Sequence, residues 1–214
     1  MSAGRAPRVL LAVCGGIAAY KACEVLRGLQ KAGCEVRVTM TADAERFVGA
    51  VTFEALSGAP VADDLYDYPG SSIPHIELSE WADLALVVPA TANVMAKLAC
   101  GIADDCLTST LLACHGSCAV MNTRMWANPA TQANVSALRG RGVTVVGPGS
   151  GRLACGDVGE GKLAPVEDVV AAALDALGAA SRERDLAGLR LVVTAGPTHE
   201  AIDPVRYIAN RSTG

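Results

Sequence analysis

The chain has 214 residues, 51% of them apolar, with 18 basic against 22 acidic side chains and a formal net charge of −4. That length suits one domain of ordinary size plus some remainder, and the absence of a basic cluster excludes nucleic acid as an expected partner. With only two Trp, four Tyr and two Phe, the core must be built from Ala, Val and Leu, as where helices cover a parallel sheet.

Arg8–Val13 (RVLLAV) is a short apolar run of the kind buried on both faces. It stops at Gly15-Gly16, and residues 17–32 carry a helical pattern. Glu35–Met40 (EVRVTM) reads as the second strand, with Thr41 at its end and a helix over 42–56. Residues 57–74, punctuated by Gly58, Pro60, Pro69 and Gly70, read as a long connection. After the alternating segment His75-Ile76-Glu77-Leu78, a third strand spans 84–88 (LALVV), closed by Pro89-Ala90-Thr91-Ala92-Asn93. Helical segments over 94–99 and from near Asp104-Asp105 precede a fourth strand at Ser117–Met121. A fifth follows at 143–146 (VTVV), and residues 165–177 form an Ala-rich helix.

This alternation predicts a doubly wound α/β fold, Rossmann-like or flavodoxin-like, with a parallel sheet covered by helices on both faces. Ligands of such sheets bind outside the carboxyl ends of the strands. Gly15, Thr41, residues 89–93, Asn122 and the loop from Gly147 all fall there. The first domain is expected over residues 1–178, and the small and charged residues of 179–188 read as a linker. Residues 189–194 (LRLVVT), followed by Ala195-Gly196-Pro197-Thr198, resemble the opening strand and phosphate-side loop of a second α/β domain. Residues 189–214 are therefore expected to be the truncated start of that domain, since a lone strand needs partners.

No apolar run reaches the roughly 18 residues needed to span a bilayer, and no signal peptide is seen. Eight cysteines without a CxxC pair or a repeated spacing support neither a disulfide framework nor a zinc site. They read mostly as reduced, buried small hydrophobes of a cytoplasmic protein.

Six glycines crowd into residues 147–161 (GPGSGRLACGDVGEG), with Cys155 among them. So much glycine predicts a loop, neither helix nor strand, that can close tightly over something. Cys155 is then either an incidental small residue or a reactive thiol carried by a lid. Gly15-Gly16 lets helix N–H groups approach an anion, although such a pair is often only a tight turn. The dinucleotide pattern GxGxxG is absent from CGGIAAYK, and the second strand ends in Thr39-Met40-Thr41, with no acidic residue to hold a ribose diol. Hydroxyls there suit a phosphomonoester, favouring FMN over NAD. In residues 89–93 small side chains leave room for a flat ring, while Thr91 and Asn93 offer hydrogen bonds; Thr91 could equally be a plain helix cap. His75 is either structural or the acid/base of the site. Asn122, in MNTRMWANPATQ, either fixes a carboxylate or amide of a substrate or caps residues 123–126. His115 and His199 have no partner pattern, so no metal site is expected.

Four motifs in order carry a resemblance that spans nearly the whole chain: GGIAAYK, HIELSEWADLALVVPATANVMAKLACGIADD, MNTRMWANPATQ and SGRLACGDVGEGK. Together they resemble the flavin-dependent cysteine decarboxylases, and most closely the decarboxylase halves of bifunctional coenzyme A biosynthesis proteins. The tail LVVTAGPTHEAIDPVRYIANRSTG is similar to the start of the phosphopantothenate–cysteine ligase half. The resemblance implies FMN-dependent decarboxylation of 4′-phosphopantothenoylcysteine to 4′-phosphopantetheine. It places the active-site histidine on His75, the substrate-holding asparagine on Asn122 and the proton-donating lid cysteine on Cys155. It sets Gly15, Gly16, Thr41, Ala90, Thr91 and Asn93 at the flavin, with Thr41 near the phosphate. It further implies a homo-oligomer built from trimers, as a dodecamer in bifunctional members, and Mg2+ with a nucleoside triphosphate, CTP, for the ligase domain. Where the family has Pro-Ala before Met-Asn, this chain has Ala119-Val120, in a segment a few residues short.

The implied chemistry is self-consistent. Direct loss of CO2 from a cysteine amide leaves an unstabilised carbanion, whereas oxidising its CH2–SH to a thioaldehyde creates an electron sink. Competing readings are a flavin-binding regulatory protein without turnover, a flavin prenyltransferase of similar fold, and a nicotinamide enzyme, the last disfavoured by the features above.

Overall fold

The computed structural model describes residues 5–114, 117–121, 125–152, 158–182, 199–201 and 207–209. Six strands form one parallel sheet: β1 (Arg8–Val13), β2 (Glu35–Met40), β3 (Val61–Ala62), β4 (Leu84–Ala90), β5 (Ser117–Met121) and β6 (Thr144–Val146). Their order is β3-β2-β1-β4-β5-β6, so the chain reverses its direction of travel across the sheet between β1 and β4. The doubly wound class expected from the sequence is the one observed.

The apolar runs of β1 and β4 are continuous because both faces are covered. Val9, Leu11 and Val13 enter one core with Leu84, Leu86 and Val88, whereas Ala12 and Cys14 enter another with Ala85 and Val87. The first core is closed by α1 (Tyr20–Lys31), α3 (Ala50–Ser57) and α8 (Val166–Arg182), which supply Leu26, Phe53 and Val169. The second is closed by α5 (Ala92–Cys100) and α7 (Pro129–Gly140), which supply Met95 and Val135. A smaller cluster under α4 (Pro74–Trp81) and α6 (Cys106–Ala113) joins Leu10, Ala62, Leu78 and Cys106.

Several expectations are corrected. The helix expected over 42–56 is two, α2 (Ala42–Glu45) and α3, with Gly49 as the N-cap of the second. The connection after Ser57 contains β3, whose two residues pair with Val38 and Thr39. Helix α4 replaces the alternating segment at 75–78: Pro74 and Leu78 are buried while Ile76 is exposed, a helical spacing. Helix α7 was not expected; Asn128 accepts from the Ala130 N–H and Pro129 occupies the first turn. The glycine run does form strands. β7 (Gly149–Arg152) and β8 (Val158–Lys162) pair antiparallel, because ladder bonds need only backbone groups, which glycine has. Helix α8 continues to Arg182, into the stretch expected as linker.

Residues 1–180 form one compact unit, and residues 181–214 a second. In the latter, β9 (His199–Ala201) and β10 (Tyr207–Ala209) pair antiparallel. The strand expected over 189–194 lies outside the described residues, as do Asn122, Cys155 and His115.

Candidate active site

The carboxyl ends of β1 and β4, neighbours at the reversal of strand order, frame a crevice of the kind in which doubly wound sheets bind nucleotides. On its β1 side, Gly15 and Gly16 lead into a short 3-10 helix, Ile17–Ala19, that runs on as α1. The N–H groups of Gly16, Ile17 and Ala18 find no acceptor among the described residues, as at any unpaired helix start. The Gly15 N–H, in contrast, already donates to Thr41 Oγ1 at 3.2 Å. On the β4 side, Thr91 Oγ1 accepts from the Val94 N–H at 3.2 Å and so caps α5. The plain-cap reading of Thr91 is therefore realised, and it fixes the direction in which the Ala90–Thr91 backbone turns. Ala90 is buried, Thr91 half-buried and Asn93 exposed. Gly16 borders Pro89 across the crevice: a Cβ on Gly16 would lie 3.9 Å from Pro89 Cγ.

Thr41 follows β2 and caps α2, accepting from the Ala44 N–H at 3.3 Å. Its own hydroxyl proton has no acceptor among the described residues. Below the crevice, Cys14 is fully buried, and desolvation pushes its thiol up to about 12. It is a protonated, apolar floor residue.

His75 lies in the first turn of α4, which carries the chain from β3 at the carboxyl edge back to the start of β4. The far end of α4 is identified by Trp81, whose ring lies under Arg37 (4.7 Å to the guanidinium carbon) and Arg8 (5.6 Å). Arg37 also pairs with Glu77 at 3.0 Å. His75 is thus at the opposite, carboxyl edge, half-buried, and its Nδ1 is buried with no hydrogen-bond partner among the described residues. A buried polar atom without a partner is costly unless something else satisfies it.

Strand β5 reaches this edge too. Ala90 pairs with Met121, and Asn122 is the next residue in the sequence. In the altered Ala119-Val120 segment, Ala119 stands opposite Val87 and Val145, and the β4–β5 register shifts just beyond it, between Val87 and Ala90. The structure thus brings Gly15, Gly16, Thr41, Ala90 and Thr91 to one edge, with Asn93 in the first turn of α5 and His75 on the same edge. Asn122 and Cys155 are outside the described residues. Sequence reasoning missed Asp43 and Cys14. Asp43 abuts Gly15, where a Cβ would stand 2.4 Å from Asp43 Cβ, a tertiary contact with no local signal. Cys14 could have been found as the residue continuing the inward alternation of β1. Among the described residues, no group of three or more His, Cys, Asp or Glu could hold a metal ion.

Comparison with known proteins fits this arrangement. Residues 2–178 match the Flavoprotein family, and residues 186–214 match the family described as the DNA/pantothenate metabolism flavoprotein C-terminal domain. The chain is 50% identical over 219 residues to the coenzyme A biosynthesis bifunctional protein CoaBC of Mycobacterium tuberculosis H37Rv, covering 97% of this chain and 50% of that protein. It therefore spans about half the length of the curated relatives it matches. Among solved structures, the FMN-dependent cysteine decarboxylase SpaF superposes with a TM-score of 0.70 at 36% identity, over 81% of this chain and 98% of that one. A mutant PPC decarboxylase complexed with pantothenoylaminoethenethiol superposes with a TM-score of 0.68 at 30% identity, over 78% and 96%. With its first 178 residues matched almost from end to end, the chain belongs to the Flavoprotein family.

Proposed function

We propose that the chain is the decarboxylase part of a coenzyme A biosynthesis enzyme, converting 4′-phosphopantothenoylcysteine to 4′-phosphopantetheine with FMN. The observation that carries this reading is the match over 96% of a PPC decarboxylase chain whose partner molecule is an enethiol. The residues present fit FMN. Thr41 offers a hydroxyl proton and Gly16–Ala18 offer N–H groups, all without an acceptor among the described residues, to a phosphate. Residues 90–91 and Asn93 border the space for the flavin ring.

When bound, FMN supplies reversible two-electron oxidation of the substrate's CH2–SH carbon, which creates the sink that loss of CO2 requires. His75 is the acid/base of the reacting centre, its Nδ1, which has no partner among the described residues, being satisfied by the substrate. Asn122 holds the substrate carboxylate through its amide. Cys155, between β7 and β8 in the sequence, delivers the proton that accompanies return of the two electrons when the enethiol is reduced to the product thiol.

In this reading residues 1–178 are the FMN-binding decarboxylase domain, 179–188 a linker and 189–214 the start of the ligase domain. That ligase would use Mg2+ and CTP. The enzyme is a cytoplasmic homo-oligomer built from trimers, as a dodecamer. Supporting that assembly, Ile17, Tyr20, Phe47 and Val51 are exposed apolar side chains on the elements around the crevice. Among the described residues no helix is long and apolar enough to cross a membrane.

The test is to purify the protein, record its visible spectrum and assay 4′-phosphopantetheine by mass spectrometry. A yellow protein that forms product is expected. A colourless one, or a flavin-loaded one that releases no CO2, overturns the reading.

A further inference from the structure

The geometry points to Gly15 as a positioning residue that acts through Thr41, and not as a direct ligand of the cofactor. This inference rests on the flavin site proposed above. The Gly15 N–H is already spent on Thr41 Oγ1 at 3.2 Å. The Ala44 N–H bonds the Thr41 carbonyl at 2.8 Å and also reaches Oγ1 at 3.3 Å. A hydroxyl has two acceptor positions and one proton. With both acceptor positions occupied by N–H groups, Thr41 can meet a ligand only as a donor. It therefore suits an oxygen that only accepts, such as a phosphate oxygen.

The missing side chain at position 15 makes that arrangement possible. A Cβ there would lie 2.4 Å from Asp43 Cβ, 2.7 Å from the Asp43 carbonyl carbon and 2.9 Å from its oxygen. Two of these three atoms are backbone, so rotating the Asp43 side chain gives no relief. Helix α2 would have to move, and it starts directly after Thr41. The neighbouring glycine behaves differently. At Gly16 the nearest atom to a Cβ is Pro89 Cγ at 3.9 Å, an ordinary contact, and its φ of −174° is extended backbone open to any residue. The pair thus divides: Gly15 fixes where the Thr41 hydroxyl points, and Gly16 borders the crevice itself.

The experiment compares FMN with riboflavin, which lacks the phosphate, by flavin fluorescence titration of flavin-free protein. The variants are Gly15→Ala, Thr41→Val, Thr41→Ser and the double variant Gly15→Ala/Thr41→Val. Each of Gly15→Ala and Thr41→Val is expected to weaken FMN by about tenfold or more, the order of a lost charge-assisted hydrogen bond. Thr41→Ser should stay within about threefold of wild type, and riboflavin affinity should hold to the same margin throughout. The double variant should bind FMN no more weakly than the weaker single one, because the two changes remove one interaction. Multiplying losses, or Gly15→Ala with wild-type FMN affinity, overturn the inference. So does a riboflavin loss as large as the FMN loss.

A second measurement needs no flavin. Hydrogen exchange at the Gly15 amide should be slow in wild type and Thr41→Ser and fast in Thr41→Val; fast exchange in wild type overturns the bond. Because it reads the bond directly, it decides the inference even if Gly15→Ala fails to fold. If wild type binds neither flavin, the proposed function falls while this readout still judges Gly15 and Thr41 on their own.

Discussion

Ala90 and Met121 are register partners at the ends of β4 and β5, one residue short of Thr91 on one strand and of Asn122 on the other. Asn122→Asp puts a negative charge where a neutral amide is proposed to meet a substrate carboxylate, and like charges repel. Substrate affinity measured by calorimetry should fall roughly tenfold or more, a loss of the order expected for two close charges in a partly desolvated site. Flavin loading should not change. Unchanged substrate affinity would make Asn122 a structural residue.

His75→Asn should purify yellow yet lose decarboxylation by on the order of 10²–10⁴-fold, the usual contribution of a positioned acid/base. Helix α4 is anchored by the buried Leu78 and by Trp81 under Arg37, so the fold should survive. A colourless variant would assign His75 to the cofactor instead.

Cys155→Ser replaces the thiol by a much weaker acid. Oxidative decarboxylation should proceed while the final protonation fails. The enethiol should then accumulate, visible by mass spectrometry as product minus two hydrogens. A normal yield of 4′-phosphopantetheine would remove Cys155 from the mechanism.

Alkaline stability offers a fourth check. Burial pushes the Cys14 thiol from 9.0 up to about 12, and those of Cys106 and Cys114 up to about 11. Between the ordinary value and these raised ones, the folded chain holds protons that the unfolded chain has released. The stabilisation is therefore complete below pH 9 and is lost as pH rises through 11 and 12. The melting temperature should fall steeply from pH 9 to pH 11, and Cys14→Val should fall less steeply. A Cys14→Val profile parallel to that of wild type would contradict this account.

Where a strand is buried on both faces, its sequence announces it. RVLLAV and LALVV were legible as β1 and β4 because no polar side chain fits between two helical layers. β3 was invisible because two residues carry no period. It is defined by pairing with Val38 and Thr39 and by the Thr39 hydroxyl donating to the Ala62 carbonyl at 2.6 Å. The β7–β8 hairpin was hidden because glycine gives no side-chain alternation to read, though its backbone pairs as any other does. Asn128 and Pro129 are strong helix-start signals, masked when the surrounding motif is read for chemistry alone. Within the site, the chemical identity of Thr41 and Gly15 was readable. Their division of roles was not, because it depends on Asp43, 28 residues beyond Gly15 and brought against it only by the fold.

The Trp81 stack at the amino edge makes α4 a lever. Its fulcrum is where Arg8 and Arg37 grip the ring. His75 stands six residues away, about 9 Å along the helix axis. A tilt of about 10° at the grip would swing the imidazole by roughly 1.5 Å over that arm, and displacements of about 1 Å suffice to slow a positioned reaction 10²-fold. Substitutions at Trp81 or Arg37 can thus misaim the imidazole while leaving every residue of the crevice in place, and distance from the substrate gives them no immunity.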